Sequence, residues 1–166
     1  ASVTIAATVV DHNTANGYSG VIDGGGLAAL LSQVYLENVT IADNSAGLNL
    51  AYGVVSADDN HMNIVNTILQ NGGTNEVVTA FVGFGSTTGT VSVNYSNVFG
   101  ATGSEPWWNG TNTTANALFV NAAINNYRLQ ETSSLIDAAT NNVYYTGTDI
   151  AGVTRPQGTG FDIGAY

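Results

Sequence analysis

The sequence predicts an all-β chain wound as a right-handed parallel β-helix, a solenoid of about four coils with a C-terminal capping segment. Three observations lead there. One short theme recurs: VTIAATVVDHN from Val3, VYLENVTIADN from Val34, MNIVNTILQN from Met62 and VSVNYSNVFG from Val91, with starts 31, 28 and 29 residues apart. Within each copy apolar residues alternate with small or polar ones, which puts one set inward and the other on a face. Each copy also ends at Asn or Gly, residues that tolerate the left-handed backbone of a sharp corner.

The inward positions of the first stretch are Val3 and Ile5, then Val34 and Leu36, Met62 and Ile64, and Val91 and Val93. A second apolar pair follows in each copy: Val9–Val10, Val39 with Ile41, Ile68–Leu69 and Val98–Phe99. The corners fall at Asn13, Asn44, Asn71 and Gly100. Leu27 to Gln33 could pass for a turn or two of helix, but the Gly24–Gly26 run before it favours a strand. Parallel strands stacked about 4.8 Å apart follow, and the crossover rule for parallel strands sets the right hand. Residues 1–103 are thus the coils, and 104–116 (SEPWWNGTNTTAN) a polar, aromatic-tipped side loop. Residues 117–166 form the last coil and cap, because an open coil would expose strand edges and apolar side chains. No comparable cap precedes Val3, so that end is expected to meet further chain or another molecule, with end-to-end self-association through the uncapped first coil as one outcome.

Composition narrows the partners. With 166 residues and 44% apolar content, one domain with a sizeable core is expected. Only 8% of residues are charged and lysine is absent, so Asn, Thr, Ser and Gly must carry solubility. The net charge of −10 repels phosphate backbones and anionic lipid, which disfavours nucleic acid. No apolar stretch reaches the ~18 residues that membrane insertion by a helix requires. The absence of cysteine removes disulfides, thiolate metal sites and thiol nucleophiles.

Asp58 and Asp59 with His61 are the best catalytic candidates, since paired carboxylates near an imidazole can run acid/base chemistry on a glycosidic bond. The Gly-His-Gly and Arg-Ile-Lys signatures that accompany adjacent aspartates in β-helix polygalacturonases are absent, and a polar turn between coils is the favoured reading. A lyase needs a cationic base, and both arginines, Arg128 and Arg155, lie in the capping segment. Arg155 is read as the centre of a structural staple with Asp137, Asp149 and Asp162. Trp107 and Trp108 are the best ligand-binding candidates: tandem rings in a Gly/Asn/Thr loop offer a flat platform for sugar rings. The plainer reading, that they tuck under the loop and seal the solenoid, is preferred. No cofactor and no metal site are expected. Calcium would suit the 12 acidic side chains, but no D-x-D-x-D-G loop occurs, and His12 and His61 stand in unlike contexts for zinc.

On GVIDGGG (20–26), VYLENVTIADNSAG (34–47), NTIL (66–69), VNYSNVFG (93–100), ALFVN (117–121), NYRLQETSSLIDAA (126–139) and TDIAGVTRPQGTGFDIGAY (148–166), the chain resembles the C-terminal part of exported bacterial right-handed parallel β-helix proteins. These are the "choice-of-anchor" proteins, similar in pattern to polymorphic outer-membrane adhesins. The most specific piece is D-x-x-G-x-x-R-P (Asp149, Gly152, Arg155, Pro156) followed by D-I-G-A-Y (Asp162 to Tyr166), after which the family usually continues with Glu. The resemblance implies the fold and a secreted or cell-surface location more than any activity. The expected function is a non-catalytic structural, adhesive or glycan-binding element whose partner is a polysaccharide or cell-surface glycan. The alternative is a carbohydrate-active enzyme, hydrolase before lyase, built on Asp58, Asp59 and His61. An ice- or mineral-binding face is disfavoured because the threonines are scattered.

Overall fold

The computed structural model describes residues 2–15, 26–30, 33–46, 54–57, 61–71, 76–80, 90–141, 143–145 and 147–166. Its strands are β1 (Ser2–Asp11), β2 (Thr14–Ala15), β3 (Leu27–Leu30), β4 (Gln33–Ala42), β5 (Ser45–Ala46), β6 (Val54–Ala57), β7 (His61–Val65), β8 (Ile68–Gln70), β9 (Val77–Ala80), β10 (Thr90–Asn94), β11 (Asn97–Val98), β12 (Phe119–Asn121) and β13 (Asn126–Leu129). A single 3-10 turn spans Ala122–Ile124, and there is no α-helix among the described residues.

The largest sheet is parallel and curled, like half of a barrel. Its register follows the sequence repeat: Val3 lies beside Val34, Val34 beside Met62, and Met62 beside Val91. Two further parallel ladders join β2 to β5 and β3 to β6 to β9. Leu27 to Leu30 is therefore a strand. Val34, Leu36, Val39, Ile41, Met62, Ile64, Leu69, Val77, Val93 and Val98 form one buried core, with Ile5, Val10 and Leu27 packed against it. The third ladder, through Leu27 and Val77, thus faces the core of the curled sheet. The strands of Val54–Ala57 and Val77–Ala80 carry no copy of the theme, so the repeat alone did not reveal them.

Each copy of the theme contains a bend that alternation alone does not show. Ala7, Asn38, Asn66 and Tyr95 occupy equivalent rungs and all have left-handed backbone, with φ of 44°, 55°, 52° and 47°. Thr8, Thr67 and Ser96 follow the bend, and each hydroxyl donates to the carbonyl two residues earlier, at 2.7, 3.0 and 2.8 Å. This satisfies a carbonyl that the bend removes from the ladder. Asn13 and Asn44 are not the left-handed corner residues; His12 and Asp43, one position earlier, are, with φ of 55° at both. The asparagines instead stack. Asn13 Nδ2 donates to Asn44 Oδ1 at 2.9 Å, Asn44 Nδ2 to Asn71 Oδ1 at 2.8 Å, and Asn71 Nδ2 to the Glu76 carboxylate at 2.6 Å.

The C-terminal segments depart from the expected layout in two ways. Residues 111–115 are more than a side loop: Thr113 bridges to Asn97 in parallel, its N–H donating to Ser96 O at 2.9 Å, while Val98 N–H donates back to Thr113 O at 2.9 Å. They cover the outer edge of the last full rung. Residues 117–166 do not simply lid the end. They run along the side of the sheet, touching Asp43 and Glu37 of rung two, Asn66 of rung three and Gln70 of the same rung. The reason is the outward column after the bend, where Thr40, Ile68 and Asn97 are all buried. Ile68 packs with Ala117, Leu135 and Ile163 of the tail in a second core. An apolar residue on the outer face requires cover there, and the tail supplies it. Antiparallel β12–β13 and the bridge of Ala139 to Phe161 brace this strap.

Candidate functional site

Before the bend, no described segment covers the outer face of the curled sheet. Strict alternation and in-register stacking place its side chains in two columns. One holds Ser2, Gln33, His61 and Thr90; the other holds Thr4, Tyr35, Asn63 and Ser92. Rung spacing is about 4.8 Å and the columns stand two residues, about 6.6 Å, apart. Gln33, Tyr35, His61, Asn63, Thr90 and Ser92 border a groove of about 220 Å³ whose floor includes Met62 and Val91. His61 Nδ1 and Thr90 Oγ1 are 3.0 Å apart across adjacent strands, and Asn94 Nδ2 donates to Ser92 Oγ at 3.0 Å. Tyr35 and Asn63 are half-buried, and the other four side chains are exposed.

Chemically this is a row of hydroxyls and amides around one phenol ring, with an imidazole at its edge. Among the described residues, no carboxylate, lysine or arginine borders the groove. Such a surface can stack on the apolar face of a ring and exchange hydrogen bonds with hydroxyl groups. Its described side chains carry no fixed charge with which to neutralise an ion. Of the predicted catalytic set, His61 lies on this face, while Asp58 and Asp59 lie outside the described residues. Tyr35, Asn63 and Ser92 escaped the sequence reading. The signal was present, as the outward position of the aligned repeats, but it becomes a surface only once the register is known.

Trp107 and Trp108 do not make one flat platform. Their ring centroids are 6.1 Å apart and the planes are tilted by 55°. Trp107 packs against the main core from the loop that follows the last rung, and Trp108 lies against Gly103, about 3.7 Å from where a Cβ would stand. Both are half-buried. The loop is closed by Glu105, whose carboxylate accepts from Thr102 N–H at 2.6 Å and Gly103 N–H at 3.0 Å. Burial raises this carboxyl, but the hydrogen bonds from Thr102, from its own N–H and from Gly103 together outweigh it and hold the group below its ordinary range.

The predicted staple exists in altered form. Arg155 is buried at 8% exposure, and Nη1 donates to Gly164 O at 2.9 Å while Nη2 donates to Asp162 O. Its partners are carbonyls, not carboxylates. Each aspartate instead accepts from backbone: Asp137 from Gly160 N–H at 2.7 Å, Asp149 from Val153 N–H at 2.7 Å, and Asp162 from Asp137 N–H at 2.8 Å. Short acidic side chains reach local N–H groups at turns readily, and the arginine is left to bind the irregular segment 162–164 that docks on the sheet. Burial lowers the Arg155 guanidinium, opposed by the charges of Asp162 and Asp149. Burial also raises the Asp162 carboxyl, against the lowering effects of the Asp137 N–H and of Arg155.

At the other end of the strap, the Tyr127 hydroxyl donates to Asp43 Oδ2 at 2.9 Å, with His12 Nδ1 at 3.5 Å. Burial drives the phenol far above its ordinary range, and the Asp43 hydrogen bond and charge add to this. It stays protonated and acts as a clasp. No group of His, Cys, Asp and Glu suited to a metal occurs among the described residues. Compared with known proteins, the chain matches no protein-family model, no curated protein and no solved structure.

Proposed function

We propose that the chain is a right-handed parallel β-helix module of the exported bacterial kind, secreted or displayed at the cell surface, that binds a polysaccharide or cell-surface glycan without turning it over. The observation that carries this is the open sheet face. Two in-register columns of hydrogen-bonding side chains flank Tyr35, and none of the described residues that border the groove is a carboxylate that could act as acid or base. A glycan strand laid across the rungs would stack on Tyr35 and meet Gln33, Asn63, Thr90 and Ser92 at the rung spacing. The same stacking supports association through rung one: β1 pairs with β4 alone among the described residues, and Val3 is 45% exposed.

A glycan array with the purified chain, run beside a reducing-sugar assay on the same polysaccharides, tests the reading. Retention of at least one neutral glycan, lost in Tyr35→Ala and weakened in Asn63→Ala, is expected, with no new reducing ends. Release of reducing ends, abolished by replacing Asp58 and Asp59 with Asn, would replace this reading with the hydrolase built on Asp58, Asp59 and His61.

A further inference from the structure

A second groove lies on the far side of the bend, between the last full rung and the strap. It encloses about 440 Å³ and is lined by Tyr95, Thr140, Asn141, Pro156, Thr159 and Phe161 among others, none of them charged. Its walls are fixed before any ligand arrives. Thr140 N–H donates to Asn66 Oδ1 at 2.9 Å and Thr140 O accepts from Asn66 Nδ2 at 2.8 Å. Opposite, Gly160 N–H donates to Asp137 Oδ1 at 2.7 Å, Phe161 O accepts from Ala139 N–H at 2.8 Å, and the Arg155 guanidinium carbon stands 5.9 Å from the Phe161 ring centroid.

Tyr95 is the anomaly. In rungs two and three the same left-handed position holds Asn38 and Asn66, both buried, whose side chains bond the strap at Tyr145 O and Thr140. Asparagine suits that backbone; an aromatic residue with φ of 47° does not. Yet rung four carries tyrosine, 40% exposed, whose hydroxyl bonds nothing among the described residues. An aromatic side chain held in a disfavoured conformation with its ring beside an open groove is the kind of strain that attends binding sites.

We infer that this groove is a second binding site, for a neutral saccharide unit. Tyr95 and Phe161 supply apolar ring surfaces for the C–H face of a sugar. Asn141 supplies donors and an acceptor at the rim, and the Thr159 hydroxyl, which donates to Asp137 Oδ2 at 3.0 Å, keeps its acceptor capacity. The two charges nearest the groove are already engaged, Arg155 buried on the Gly164 carbonyl and Asp137 accepting from Gly160 N–H and the Thr159 hydroxyl, so an ionic ligand would lose its hydration with little opposite charge to meet it. The volume falls in the range of about 300–1,000 Å³ typical of small-molecule sites. The site is independent of the open sheet face and shares with it only the ligand chemistry.

The test is an amide chemical-shift titration of the labelled chain with short linear oligosaccharides of glucose, mannose, galactose and N-acetylglucosamine, and with a uronate oligomer as control. A neutral sugar should move the amides of Tyr95, Thr140, Asn141 and Phe161. Tyr95→Asn, which restores the residue type of rungs two and three, should fold with an unchanged or higher Tm and weaken that binding tenfold or more. Asn141→Ala should weaken it several-fold, whereas Tyr35→Ala should leave it intact. Shifts confined to Gln33, Tyr35, Asn63 and Ser92 would overturn the second site while leaving the sheet face standing. No shift with any neutral sugar, unaltered binding in Tyr95→Asn, or a preference for the uronate would also overturn it.

Discussion

Asn44→Ala probes the stacked asparagines at their centre. The Asn44 side chain is 2% exposed and makes four hydrogen bonds. Its Oδ1 accepts from Asn13 N–H and Nδ2, and its Nδ2 donates to Val10 O and Asn71 Oδ1, all at 2.8 to 2.9 Å. Each such bond contributes about 1 kcal/mol net, and a buried group left unpaired costs about 1–3 kcal/mol. Asn13 is exposed and so open to water, whereas Val10 and Asn71 are half-buried. The expected loss is therefore about 2–4 kcal/mol, below the simple sum because Asn13 is rehydrated. For a chain of this size that corresponds to a fall of about 5–15 °C in Tm. Urea unfolding should show the midpoint drop at constant slope. Asn13→Ala, which removes one bond at an exposed site, should cost no more than about 1 kcal/mol. Asn44→Asp should add a pH dependence: it keeps the acceptor but sets a carboxylate against Asn71 Oδ1 and Val10 O, so stability should fall as pH rises through about 4. Equal midpoints for Asn44→Ala and Asn13→Ala would refute the claim that this column is a cooperative internal support.

Two further perturbations address the strap. Gly164 has φ of +110°, and a Cβ there would stand 2.7 Å from Ile68 Cδ1 and 3.0 Å from Thr40 Oγ1. Gly164→Ala should cost about 1–3 kcal/mol through backbone strain and overpacking, read as a lower urea midpoint, while Gly110→Ala, which meets nothing within 4 Å, should be near neutral. Asp162 supplies a pH signature. Its carboxyl is raised in the folded chain, so the folded state holds the proton more tightly than the unfolded one. That contribution is fully present below the ordinary carboxylate pKa and is lost as pH rises through the raised value. Wild-type stability should carry this component from about pH 4 upward, and Asp162→Asn, which retains an acceptor for Asp137 N–H, should remove it in melts recorded across that range.

The rungs were legible because in-register parallel stacking places the same position above itself once per turn. Val34, Met62 and Val91 meet one environment, so one residue class recurs at a fixed interval. The bend was less visible: Asn38 and Asn66 signal a left-handed residue, but Ala7 and Tyr95 do not. Corner asparagines were noticed for the wrong reason, since the left-handed backbone belongs to His12 and Asp43 while the amides of Asn13, Asn44 and Asn71 form the stack. Of the open face, only His61 was singled out from sequence. Its neighbours are ordinary polar residues that gain meaning from lateral registration.

Sequence by itself determined the all-β character, the interval of the repeat, the inward residues of each rung and the singular nature of the last fifty residues. Tertiary structure decided where that tail goes and what the rings and charges do. Asn38 meets Tyr145 across 107 residues and Thr40 meets Ala165 across 125, separations at which no local pattern survives. Periodicity records contacts between neighbouring rungs, where like meets like. The strap binds unlike surfaces, whose complementarity exists only after both have folded.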